Sequence, residues 1–164
     1  MALTISQALR RIKKLKGQLG EHQARAQASV THLVEHVPAF IFSTQIEKMD
    51  VVRTELLDLE TAVARANAAT VLEWDGKKIA LALATRTLAE LKSQIAWFKA
   101  LSVKAQAETS EEDYDYTAGG NVKVTKKFIC HLPELKKAEK VTELQDRFDK
   151  LNDLVETTNH RTEV

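Results

Sequence analysis

Apolar residues recur three and four positions apart in four stretches of this chain, and that spacing predicts four amphipathic helices. The first opens at Thr4, where Gln7 completes a capping box, and carries Ile5, Leu9, Ile12, Leu15 and Leu19 on one face. In the second, Thr44 and Glu47 form another capping box ahead of Met49, Val52, Leu56, Leu59 and Val63. The third begins near Ile79, after the turn WDGK, and runs through Leu81, Ala84, Leu88, Leu91, Ile95 and Phe98. The fourth starts at LPELKK, where Pro133 suits the first helical turn, and repeats Val141, Leu144, Phe148, Leu151 and Val155. Three intervening pieces read as extended: VTHLVEHV before Pro38, TVLEW before the turn Asp75-Gly76, and YDYTAGGNVKVTKKFI, a hairpin closed by Gly119-Gly120. The acidic stretch ETSEEDYDY fits a solvated connection or an edge strand. The expected fold is mainly α, with long antiparallel helical hairpins, about four helices and a small β-hairpin element. One domain is expected over residues 1–164, built from the halves 1–70 and 71–164.

Two positions depart from simple amphipathic patterning. Lys16 falls inside the stripe of Ile5, Leu9, Ile12 and Leu19, where it must reach water, pair with a carboxylate, or face a ligand. In the third helix Leu83, Trp97 and Leu101 form a second apolar patch opposite Leu88, Leu91 and Ile95. A helix apolar on two faces is buried on two sides, so this patch is expected to be the interface of a homo-oligomer.

An internal echo places a candidate site. With Asn67 set against Asn159, VARANAATVL falls on VETTNHRTEV, and two long helices end in the same Asn-x-x-Thr sequence. Asn in the left-handed conformation is a common helix terminator, and both ends have that plain explanation. The alternative is that they converge, with Asn67, Thr70, Asn159, His160, Arg161 and Thr162 lining one ligand site. Lys16, Lys77, Lys78 and Arg86 are the cations near predicted helix ends that would complete an anion site.

Charge and cysteine content narrow the function classes. With 24 Lys and Arg against 23 Asp and Glu, the chain has no overall field to attract duplex nucleic acid or an anionic membrane. Cys130 is the only cysteine, which fits a reducing compartment, and no apolar run reaches a membrane span, so a cytoplasmic location is expected. HLVEH, from His32 to His36, has the spacing of an inverted zinc-peptidase motif, but that chemistry needs both histidines on one helical turn. The β-branched residues around them and Pro38 favour an extended segment, so no metal is expected. There is no glycine-rich phosphate loop or Gly-x-Ser-x-Gly elbow, and the carboxylates flank apolar faces at helical spacing, so no catalytic residues and no cofactor are expected.

The segment ARANAATVLEWDGKKIALALATRTLAELKSQIAWFKAL and the closing LQDRFDKLNDLVETTNHRTEV resemble the septicolysin-like family of uncharacterised bacterial proteins. HQARAQASVTHLVEHVPAFIF departs from the glycine- and acid-rich loop of that pattern. The resemblance implies a helical protein with a small β part and implies no activity. The residues as a whole suggest a non-enzymatic homo-oligomer that sequesters a small anionic ligand such as a nucleotide. It is similar in kind to the oligomeric sponge proteins with which phages capture nucleotide immune signals. A coiled-coil-like scaffold for protein partners is the alternative, and a metal-dependent hydrolase the third reading.

Overall fold

The computed structural model describes residues 2–115 and 122–164. Among the described residues there are four helices, α1 (Ile5–Ser29), α2 (Phe42–Ala69), α3 (Leu81–Ala100) and α4 (Glu134–Arg161). Two antiparallel two-stranded sheets accompany them, β1 (Val71–Trp74) with β2 (Lys77–Ala80) and β3 (Glu108–Asp115) with β4 (Val122–Ile129). The fold is thus mainly α with small β elements, as the periodicity predicts. Among the described residues no helix is long and apolar enough to cross a membrane. The chain divides into two compact units, Met1–Thr85 with Asp153–Val164 and Arg86–Asn152. The division therefore falls inside α3 and α4 rather than at residue 70.

The first unit is organised by the hairpin of α1 and α2. Arg11 meets Glu55, His22 meets Gln45 and Arg25 stacks on Phe40, so partners run in opposite directions along the chain, as in an antiparallel pair. The seam buries Ile5, Ala8, Ile12 and Leu15 of α1 with Met49 and Val63 of α2. Burying a side chain of this size contributes roughly 1.5–3 kcal/mol. Leu72, Leu81, Ala84 and Val155 are buried in the same unit. The amide of Ile5 donates to Thr162 at 2.8 Å and that of Val164 to Leu3 at 2.8 Å, which holds the closing residues against the start of α1. The Thr4–Gln7 capping box is formed, with each side chain accepting from the other residue's amide.

Several boundaries differ from the sequence reading. α1 continues ten residues past Leu19, to Ser29, because small Ala26 and Ser29 extend its buried face without large apolar residues. α2 starts at Phe42 with Ile41 as its N-cap and no side-chain cap hydrogen bond, so Thr44 and Glu47 lie within the first turns and form no capping box. Residues 30–41 make bends and a turn, closed by the His36 amide on the Leu33 carbonyl at 2.9 Å, instead of the extended VTHLVEHV. Ile79 belongs to β2, and α3 follows at once, its Leu81 amide donating to Thr70 at 2.8 Å. Asp75 and Gly76 have φ of 49° and 71°, the left-handed pair that a two-residue turn between twisted strands requires. Pro133 immediately precedes α4, offering its carbonyl to the Lys137 amide at 2.9 Å.

In the second unit Leu91 and Ile95 of α3 and Leu144 and Leu151 of α4 are buried. The Lys137 ammonium donates to the carbonyls of Lys99 at 3.0 Å and Leu101 at 2.7 Å, satisfying acceptors that the end of α3 leaves open. The acidic stretch is a paired strand: β3 aligns Glu111 with Lys126 and Ser110 with Lys127 across β4. Ion pairs Lys126–Asp113 and Lys104–Glu111 link its carboxylates to lysines. The Gly119-Gly120 turn lies outside the described residues.

Candidate interaction surface

The most unusual chemistry of the molecule is at the tip of the α1/α2 hairpin. Residues 30–42 read VTHLVEHVPAFIF, a run whose Val30, Leu33, Val34, Val37 and Ile41 fall three and four apart but which is interrupted by Pro38. Pro38 disfavours helix for the residue before it, and no helix forms over residues 30–41 to gather these side chains on one face. The side chains are accordingly outside. Val34 is 101% exposed and Val37 95%, and Val30, Leu33 and Ile41 are exposed beside them. Phe40 is held from one side by the Arg25 guanidinium, 5.2 Å from its ring centroid. Arg25 is itself placed by the last turns of α1, where Ser29 Oγ donates to the carbonyls of Arg25 at 3.0 Å and Ala26 at 3.1 Å. Below the tip, His22 Nδ1 and the buried Gln45 Oε1 are 2.9 Å apart, which ties the two helices together.

His32 and His36 lie on this tip, both exposed and neither in a helix, so they lack the shared helical turn that the zinc-peptidase arrangement needs. Among the described residues no three His, Cys, Asp or Glu side chains gather as a ligand set.

Of the anion-site residues, all but Arg86 belong to the first unit. Lys16 pairs with Glu60 at 2.8 Å, the carboxylate partner that its place in the apolar stripe calls for. Arg86 is exposed in the second unit and meets Glu90 at 3.5 Å. Lys77 and Lys78 are exposed on β2, opposite Trp74 and Glu73. Asn67 and Asn159 lie inside α2 and α4, and Asp75 is the only described non-glycine residue with positive φ, so neither asparagine is a left-handed cap. Thr70 is the C-cap of α2 in an extended conformation, its amide on Ala66 at 2.9 Å. Thr162 bonds Ile5 and Thr158. Asn67, Thr70, Asn159, His160, Arg161 and Thr162 all belong to helix C-terminal ends, where outward carbonyls carry partial negative charge. Such ends attract cations, and His160 and Arg161 in the last turn of α4 match that polarity.

A groove of about 760 Å³ beside the seam is lined by Leu3, Arg11, Val51, Thr54, Glu55 and Asp58. Its guanidinium is occupied: Arg11 Nε and Nη2 both reach Glu55 Oε1 at 2.7 Å. The hydrogen bond from Arg11, helped by its charge and opposed by burial, holds the Glu55 carboxyl below the usual carboxylate range. The same hydrogen bond, together with the carboxylate's charge, raises the Arg11 guanidinium.

Of the α3 patch, Trp97 is 59% exposed and meets Phe98 edge-on at 4.8 Å between centroids, and Leu83 is exposed as well. Leu101 does not share their face. It follows the end of α3, is half-buried, and gives its carbonyl to Lys137.

The sequence reading missed the tip because it took VTHLVEHV for a strand and stopped at the histidines. The signal was present: seven large apolar residues fall in thirteen positions around Pro38. Comparison of the chain with protein-family models, curated proteins and solved structures finds no match.

Proposed function

We propose that this protein is a non-enzymatic helical scaffold that works by presenting apolar surface to another macromolecule. The observation that carries this reading is the exposed apolar run at residues 30–42. The largest apolar patch on a typical monomer is roughly 300–600 Å² and is often functional, and here Val30, Leu33, Val34, Val37 and Ile41 are all exposed at one end of a hairpin. The reading is supported further by two cations of the alternative site: Lys16 and Arg86 already have carboxylate partners.

The test is a photoreactive phenylalanine analogue introduced at Val34 in the full chain and irradiated in cells, with the exposed Lys14 position as control. A discrete protein adduct at position 34 and none at position 14 is expected. Only monomer-sized product at both positions would overturn the reading.

Sequestration of a small anionic ligand is the second reading, favoured by exposed Lys77, Lys78 and Arg161 within one compact unit. A rise in melting temperature with a nucleotide panel, reduced by Arg161→Ala and unchanged by Lys13→Ala, would put it first. No shift with any nucleotide removes it.

A further inference from the structure

We infer that a groove between α3 and α4 in the second unit binds an elongated dianion, an apolar molecule with an anionic group at either end. A medium-chain α,ω-dicarboxylate is the simplest such compound. This site lies in a different unit from the tip and is independent of the scaffold reading.

The groove has a volume of about 310 Å³ and is lined by Lys92, Ile95, Ala96 and Lys99 of α3 with Gln145 and Phe148 of α4. That volume is at the small end of the roughly 300–1,000 Å³ of ligand pockets, which suits a small molecule rather than a protein segment. The four α3 residues are spaced i, i+3, i+4 and i+7, so they share one strip of the helix. Buried Ile95 and half-buried Phe148 make an apolar floor, to which small Ala96 adds no bulk. The exposed lysines flank that floor two turns apart, a rise of about 10 Å along the helix axis.

Charge selects the occupant. Within α3 nothing is placed to neutralise either lysine: Leu88, Ala89, Ile95 and Ala96 stand three and four positions from Lys92, and Ile95, Ala96, Ser102 and Val103 from Lys99. Across the groove, Asp149 accepts from the Gln145 amide at 3.1 Å. Among the described residues neither ammonium has a carboxylate partner, whereas Arg86 on the same helix meets Glu90 and Lys140 on α4 meets Glu143. The neighbouring groove beside Leu101 and Val141 differs, because its Lys137 ammonium is taken by two carbonyls. Two free cations at the ends of an apolar floor complement two anionic groups at the ends of an apolar chain, and extended decanedioate spans the rise between them.

The test is isothermal titration calorimetry of the full chain with decanedioate, decanoate and butanedioate, with amide NMR spectra locating the site. Decanedioate should bind, with the largest perturbations at residues 92–99 and 145–148. Decanoate should bind about fivefold more weakly, and butanedioate, too short to reach both lysines over the apolar floor, more weakly still. Lys92→Gln and Lys99→Gln alter exposed side chains and keep the fold, which far-UV circular dichroism verifies. Each should bring decanedioate down to the level of decanoate, while Lys78→Gln should leave it unchanged. No binding of decanedioate, or equal binding of decanoate, overturns the inference. Binding that survives both substitutions overturns it too, as do perturbations centred on Lys77, Lys78 and Arg161, which would assign the ligand to the cations of the first unit.

Discussion

The seam and the tip of the α1/α2 hairpin are both rich in aliphatic residues, yet one is buried and the other stands in solvent. Ile5, Ile12 and Leu15 are within the core, whereas Val34 and Val37, less than thirty residues on, are fully exposed. Neither hydrophobicity nor spacing distinguishes them, since Val30, Leu33, Val34, Val37 and Ile41 also fall three and four apart; whether a helix forms does. Seam residues recur every three or four positions, so a helix collects them on one face and a second helix covers that face. At the tip Pro38 interrupts the segment, and the residues lie in bends and a turn rather than on one helical face. A chain can bury the first kind by itself. The second kind stays outside until something else arrives.

Substitution should separate the two regions most widely. Leu15→Ala empties a fully buried position and should cost about 2–5 kcal/mol in chemical denaturation. Val34→Ala, measured at a concentration where the chain is monomeric, should stay within about 0.5 kcal/mol. Equal losses would mean that the tip is packed within the monomer.

The helix ends extend the contrast. Thr4 begins α1 with a complete capping box, while α2 begins at the tip with Ile41 and no side-chain cap. Thr4→Ala should therefore lower stability by about 0.5–2 kcal/mol, and Thr44→Ala, inside the first turn of α2, by clearly less. Thermal unfolding of the two variants decides this, and a larger effect at Thr44 would contradict the assigned start of α2.

A smaller effect is expected along the seam's edge as pH falls. The folded-state pKa of Glu55 is depressed by the hydrogen bond from Arg11, so its contribution is fully present above the unfolded carboxyl's pKa and disappears as pH drops through the folded value. Glu55→Gln should therefore lose stability relative to the parent at neutral pH and converge with it in acid. The half-exposed, solvent-screened position of the pair keeps this effect small. A gap that widens in acid would contradict the pairing.

What could be read from the sequence follows the same physics. The four stripes were legible because periodic burial leaves a periodic record, and the Thr4–Gln7 box and Asp75-Gly76 turn because their chemistry is local. The last ten residues of α1 were not, since a face made of Ala26 and Ser29 looks like any polar stretch. Thr44 and Glu47 mimicked a cap because a capping box is only four residues long and the true start lies two residues earlier. The left-handed Asn cap suggested for Asn67 and Asn159 was not legible, because both residues stay helical and the helices run past them. Lys16 was anomalous for a reason that a single helix cannot reveal: Glu60 lies on another element.

Hydrogen exchange read by mass spectrometry at high and at hundredfold lower protein concentration tests the central claim most directly, because it reports seam and tip in one experiment. Peptides from residues 5–19 should exchange slowly at both concentrations, while peptides covering 30–42 should exchange fast in the dilute chain. Tip peptides as slow to exchange in the dilute chain as those of the seam would contradict the contrast between the two regions.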